Sequence, residues 1–423
     1  MGERVLEGRL RCASAAFVLN MLLGLIYAWS LFVEPLEAQF GWVRADTAQV
    51  FTVSMVFFCL GHLASGALTP RKGSRFVILL AAVCASAGFI LSAWAVNLLW
   101  LMVSYGVLCG FSVGLGANCV LSTVLLWFPR ERGTASGVLL AGVGLGPLLF
   151  GPAIALLIER AGWQLTFILL GLVFGLALGA GACVVRPPRA RECHDRNGMG
   201  AGRKSASYDA SALDGSREGA QLAPGDMVRT AAFWVFFAWM VVVSSVGLAL
   251  ISNAVPAALE VLTAAGASSG ALLAATGAMG AISGFNAVGR LATGRLWDRW
   301  GATPAMGAVS LLLALSMVLC LMACALVSFG LIVAGFLMLG FAYGGSVSVA
   351  SAFTGKRFGM RHYAMNYALV TLNIMVASLL GPAISGWSFT LEASYLPAYQ
   401  ILLGFAVVSL VLVGVLRRLP SDA

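Results

Sequence analysis

Groups able to do chemistry are scarce in this chain, so their positions carry the argument. Arg290 closes the apolar run Phe285-Asn-Ala-Val-Gly-Arg290. A guanidinium stays charged in any surroundings, and its planar fork meets a carboxylate through two N–H donors, so an arginine inside an apolar segment suits a fixed anion site. The competing reading is that Arg290, four residues before Gly294 and so about 6 Å from it along a helix, reaches the surface with only its stem in the apolar layer.

His62 is the one histidine inside an apolar stretch. An imidazole there either hydrogen-bonds a bound anion and takes up a proton with it, or stays neutral and packed on a backbone carbonyl. Asn118, Asn286 and Asn373 are amides of similar placement. No Asp or Glu falls within the apolar stretches after the first, while Glu34, Asp46, Glu159, Glu260 and Glu392 sit at their ends. A cation relay through buried carboxylates therefore lacks its residues. The nine cysteines form no spaced framework, so no disulfide scaffold, metal or cofactor site is expected.

These residues need apolar elements to hold them. The 423 residues are 60% hydrophobic and only 10% charged, with a mean hydropathy of +0.93. A soluble domain carries about a quarter charged residues, so the composition excludes a cytosolic enzyme and predicts a polytopic membrane protein. Twelve apolar runs of bilayer-spanning length lie near 13–33, 47–69, 76–95, 98–126, 137–158, 164–185, 232–258, 267–293, 304–328, 329–353, 365–389 and 397–416. The first follows Arg4, Arg9 and Arg11 with no small-residue cleavage site and is expected to be retained.

With a cytoplasmic N-terminus, 23 of the 26 Lys and Arg residues fall in inside segments, leaving Arg44 and Arg160 outside and Arg290 within a span. That bias predicts both termini in the cytoplasm of a multi-pass protein of the cell membrane, and explains the net charge of +9 without nucleic acid. Residues 186–230, Gly- and Ser-rich and without apolar periodicity, are expected to form a flexible cytoplasmic linker between a six-helix half at 1–185 and another at 231–423. The halves repeat. Gly66-Ala-Leu-Thr-Pro-Arg-Lys-Gly73 aligns with Gly294-Arg-Leu-Trp-Asp-Arg-Trp-Gly301 at an offset of 228, Gly151-Pro-Ala-Ile154 with Gly381-Pro-Ala-Ile384 at 230, and Ile168-Leu-Leu-Gly171 with Ile401-Leu-Leu-Gly404 at 233. The first offset also pairs His62 with Arg290. Parallel repeats of this kind place a substrate between the halves near the midplane. The glycines at 142, 144 and 146 lie mid-span with no preceding strand, which favours close helix packing and a swivel point over a phosphate loop.

The loop after the eighth span, with Gly294, Leu296, Asp298, Arg299 and Gly301, resembles the G-x-L-x-D-R-x-G signature of the major facilitator superfamily. The resemblance implies that the acid of this signature is a conformational latch; in the first copy Gly66, Arg71 and Gly73 remain, but Pro70 stands at the acidic position and supplies no such acid. Gly24-Leu-Ile-Tyr-Ala-Trp-Ser30, Trp127-Phe-Pro-Arg-Glu-Arg-Gly-Thr-Ala-Ser-Gly137, Met227-Val-Arg-Thr-Ala-Ala-Phe-Trp234, Phe285-Asn-Ala-Val-Gly-Arg290 and Arg357-Phe-Gly with Asn366-Tyr367 resemble its oxalate/formate antiporter and monocarboxylate porter branch. The resemblance implies an all-α fold of twelve transmembrane helices in two six-helix halves, and substrate binding by Arg290 with Tyr27 and Tyr343 in the substrate cage. Ile374 stands where dicarboxylate-handling members carry a lysine, a departure that argues against oxalate. The expectation is a secondary transporter of a small monocarboxylate, coupled to protons or exchanging, with no enzymatic activity. An oxalate/formate-type antiporter, an exporter of lipophilic compounds and a transport-derived sensor are the alternatives.

Overall fold

The computed structural model describes residues 2–188, 221–266, 271–392 and 394–419, so residues 189–220 of the expected linker lie outside the described residues. All regular structure among the described residues is helical. The first span runs through Gly2–Leu23, a tight turn of helix at Gly24–Trp29, and Ser30–Phe40. Arg44–Ser92 is one long helix broken at Gly73 (φ 82°), and Arg132–Val184 another broken at Gly162 (φ 79°); these give the second and third and the fifth and sixth spans. Such positive φ values are open to glycine and costly for residues with a Cβ. Between them, Leu98–Leu125 forms the fourth span, with a wide helical stretch at Met102–Cys109.

The second half supplies Ala231–Ala264, Ala271–Trp300, Ala302–Ala325, Phe329–Arg357, Tyr363–Thr371 continued by Asn373–Glu392, and Leu396–Arg418 as spans seven to twelve. Nine described helical stretches are long and apolar enough to cross a membrane. Counting each broken helix twice and adding Ala271–Trp300, whose last turns carry Arg290, Arg295, Asp298 and Arg299, gives twelve.

Glycine sets how closely these helices approach. A Cβ on Gly61 would strike the Phe111 carbonyl, and one on Gly289 the Phe341 carbonyl, 230 residues further on. Gly110 meets Ser54 and Gly340 meets Ile282, while Gly114 meets Phe58 and Gly344 meets Asn286. Three glycine contacts between spans two and four thus recur between spans eight and ten, so the two six-helix halves share one packing frame. With no water-driven hydrophobic effect between helices in lipid, such close backbone contact is what holds them together. In the fifth span, Gly142 and Gly146 press on the carbonyls of Phe17 and Met21, packing that helix against the first.

One face gathers the first helix's N-terminal turns, the loop before the fifth span and the end of the sixth. There Arg9 pairs with Glu131 at 2.7 Å and the Trp127 indole donates to the Arg186 carbonyl at 2.8 Å. Residues at the end of the linker dock beside the eleventh span: the Leu222 N–H donates to the Phe358 carbonyl, the Asn366 amide to the Leu222 carbonyl, and the Arg361 N–H to Gln221 Oε1. On this face the halves touch. Asp298 accepts from the backbone N–H groups of Gly133 (2.9 Å) and Thr134 (2.6 Å) at the start of the fifth span, and Gly66 lies against Ala364 and Met365 of the eleventh.

Candidate functional site

Arg290 is only 7% exposed and does not extend to the surface. Its Nε donates to Asn286 Oδ1 at 2.9 Å, one helical turn back, and one terminal nitrogen donates to the Leu140 carbonyl in the fifth span of the other half. Position 290 can be held this way because Gly137 lets the fifth span lie directly on the Arg290 backbone. These two bonds use one N–H at Nε and one terminal N–H. The remaining guanidinium N–H groups keep their capacity for an anion.

Three phenols lie within electrostatic range of that charge: Tyr27 from the first span, Tyr343 from the tenth and Tyr367 from the eleventh. Tyr27 is 36% exposed. The ring of Tyr343 rests on Gly247 of the seventh span, where any Cβ would overlap it. Tyr27 and Tyr343, which the resemblance places in the substrate cage, are thus electrostatic neighbours of Arg290. Tyr367 is a third such neighbour; the sequence marks it only as part of the Asn366-Tyr367 motif, with no binding role attached.

His62 sits elsewhere in this arrangement. It is buried, its Nδ1 lies 3.1 Å from the Phe58 carbonyl, and its ring is 4.4 Å from Phe58 and 6.2 Å from Tyr367. A carbonyl can only accept, so Nδ1 carries the hydrogen and Nε2 of the neutral ring is left as an acceptor. Tyr367, whose ring is 6.2 Å from that of His62, is also an electrostatic neighbour of Arg290.

The amides divide as well. Asn286 orients Arg290. Asn373 donates to the Val370 carbonyl at 2.6 Å and accepts from the Ser244 hydroxyl at 2.8 Å, tying the eleventh span to the seventh. Asn118 donates to the carbonyls of His62 (2.9 Å) and Ala364 (2.8 Å). Of the loop residues, Gly73 and Gly301 (φ 84°) break the chain after equivalent spans, and Asp298 caps the fifth span, while Arg71 and Arg299 are exposed and Gly66 and Gly294 are the close-contact points. Among the described residues, no three His, Cys, Asp or Glu side chains gather as metal ligands.

The sequence profile described as Major Facilitator Superfamily matches residues 13–306, well over half of the chain. The chain is 28% identical over 242 residues to the oxalate:formate antiporter of Oxalobacter formigenes, covering 57% of this chain and 53% of that protein. It is 35% identical over 162 residues to human monocarboxylate transporter 11, covering 38% of this chain and 34% of that one. Each match thus spans about half or less of the relative's length. The fold superposes on the proton:xylose symporter XylE with a TM-score of 0.69 at 16% identity, over 96% of this chain and 95% of that one. With its helical halves, its loop signature at Gly294–Gly301 and a buried cation between the halves, this multi-pass membrane protein is a transporter belonging to the Major Facilitator Superfamily.

Proposed function

We propose that the protein carries a small organic monocarboxylate across the membrane by rocking of its two halves, with Arg290 as the fixed counter-ion. The observation that carries this reading is the buried guanidinium with N–H groups to spare, within electrostatic range of three phenols. One fixed cation neutralises one carboxylate, whereas a second negative charge would be buried unpaired at high desolvation cost. Ile374, in the eleventh span, offers no second cation. The likeness to an oxalate:formate antiporter and to monocarboxylate transporters supports the substrate class. In this reading Tyr27, Tyr343 and Tyr367 line the site, offering donors to carboxylate oxygens and flat faces to a short carbon chain.

The distribution of basic residues supports a cytoplasmic location for both termini, with the halves at 1–185 and 231–423 joined by a cytoplasmic linker at 186–230 in the cell's inner membrane. The face on which Asp298 and Gly66 close the halves is then the cytoplasmic one. A proton moving with the substrate travels on the acid itself or on His62, since the described spans offer no buried carboxylate partner to Arg290. Competition by unlabelled lactate, formate, oxalate and lipophilic amines for labelled lactate uptake into proteoliposomes tests the reading. Inhibition by the monocarboxylates supports it. Competition by oxalate alone, or by the amines alone, contradicts it.

A further inference from the structure

The two halves hold the carbonyls of His62 and Arg290, which are 228 residues apart, in matching ways. The Asn118 amide donates to the His62 carbonyl at 2.9 Å, and the Ser348 hydroxyl, 230 residues beyond Asn118, donates to the Arg290 carbonyl at 2.9 Å. A serine has one O–H and its job ends there. An asparagine has a second N–H. In this protein it crosses to the other half and donates to the Ala364 carbonyl in the first turn of the eleventh span, at 2.8 Å. Carbonyls only accept, so the atom between those two oxygens must be the amide nitrogen, which fixes the side-chain orientation. Asn118 is fully buried and its Oδ1 has no hydrogen-bond partner, so the residue is oriented for donation alone.

The place of this crossing matters. In the C-terminal half, Asp298 latches the halves by accepting from Gly133 and Thr134 at the start of the fifth span. The equivalent partners in the duplication are Pro70 and the start of the eleventh span at Tyr363 and Ala364. Proline has no acidic group, yet Gly66 and Ala364 remain pressed together there. We propose that Asn118 is the gate latch of the N-terminal half, replacing the acid absent at position 70, and that its bond to Ala364 must break each time the latched face opens. The inference depends on alternating access and not on the identity of the substrate.

Loss of one buried hydrogen bond in only one of two states shifts their ratio by about five- to tenfold. The test is double electron–electron resonance between spin labels on Lys72→Cys and Lys356→Cys, both exposed and on opposite halves, in nanodiscs after replacement of the native cysteines. Asn118→Ser retains the one donor that Ser348 uses and gives up the crossing. It should raise the population of the longer, open distance by that factor, and adding Pro70→Asp should reverse the shift by restoring an acceptor opposite the eleventh span. Asn118→Asp, of the same shape but without the amide donors when ionised, should open the face as Asn118→Ser does. In the natural, unlabelled chain, hydrogen exchange of the 360–368 segment should quicken in both variants, which keeps the test decisive where cysteine replacement impairs folding. Unchanged distances and unchanged exchange in Asn118→Ser, while Asp298→Asn moves both, would overturn the proposal.

Discussion

The N-terminal and C-terminal halves share a frame and differ in their polar groups. Where helices touch through glycine, the halves agree: Gly61 with Gly289, Gly110 with Gly340, and Gly114 with Gly344 meet equivalent backbone carbonyls. Where charge or hydrogen bonding is at stake they part, with His62 against Arg290, Pro70 against Asp298, and Asn118 against Ser348. Close packing is unforgiving of added volume, so both copies keep it. A polar group in the middle of a membrane protein costs free energy in each copy, so it persists where it has a task. The C-terminal half thus holds the buried guanidinium, the counter-ion of the proposed function, and a carboxylate that bonds across the halves, and the N-terminal half holds a buried imidazole and, by the inference above, an amide latch.

The sharpest way to break this comparison is to remove the two equivalent side chains in turn. Arg290→Ala should reduce monocarboxylate uptake in proteoliposomes by more than about a hundredfold, since hydrogen bonds to charged groups contribute about 1.5–3 kcal/mol each. His62→Ala should lower exchange by no more than about threefold; a loss as deep as that of Arg290→Ala would mean that the halves share the site equally. Next in size come the shared contacts. Gly114→Ala and Gly344→Ala each place a Cβ on a backbone carbonyl, and overpacking of that kind costs about 1–3 kcal/mol. Both should lower thermal stability measured in detergent by similar amounts, and a large effect in one half only would argue that the frames are not equivalent.

Asn286→Leu removes the acceptor that orients the Arg290 Nε while leaving the charge. It should raise the KM for the carboxylate by about tenfold, with a smaller change in the maximal rate. The smallest effect is expected from His62→Gln in counterflow exchange, which should stay within about twofold of the parent. If His62 carries the coupled proton, the same variant loses accumulation driven by a proton gradient; if it keeps that accumulation, the proton travels on the acid.

Much of this was legible in the sequence because lipid imposes simple rules. Apolar runs longer than a bilayer core, basic residues gathered in alternate loops and a repeat offset near 228 expose the spans and the duplication. Arg290 stands out as the lone cation within a span. The helix breaks at Gly73 and Gly301 follow from the paired loop signature. Its anchor did not show, because the Leu140 carbonyl is backbone and every residue has one. Tyr367 was visible only as part of the Asn366-Tyr367 motif, which does not say what its phenol faces. Nor can a sequence tell which amide is already committed: Asn118, Asn286 and Asn373 look alike until their partners are seen, one bridging two carbonyls, one holding the arginine and one joined to Ser244.

The most direct test of the central claim is calorimetric titration of the purified carrier with lactate, its neutral amide and oxalate, on the natural chain and on Arg290→Lys. The account predicts that lactate binds while its amide does not, that oxalate binds more weakly than lactate, and that Arg290→Lys, which keeps the charge but loses the fork, weakens lactate binding at least tenfold. Equal binding of lactate and its amide, or unchanged lactate affinity in Arg290→Lys, would contradict it.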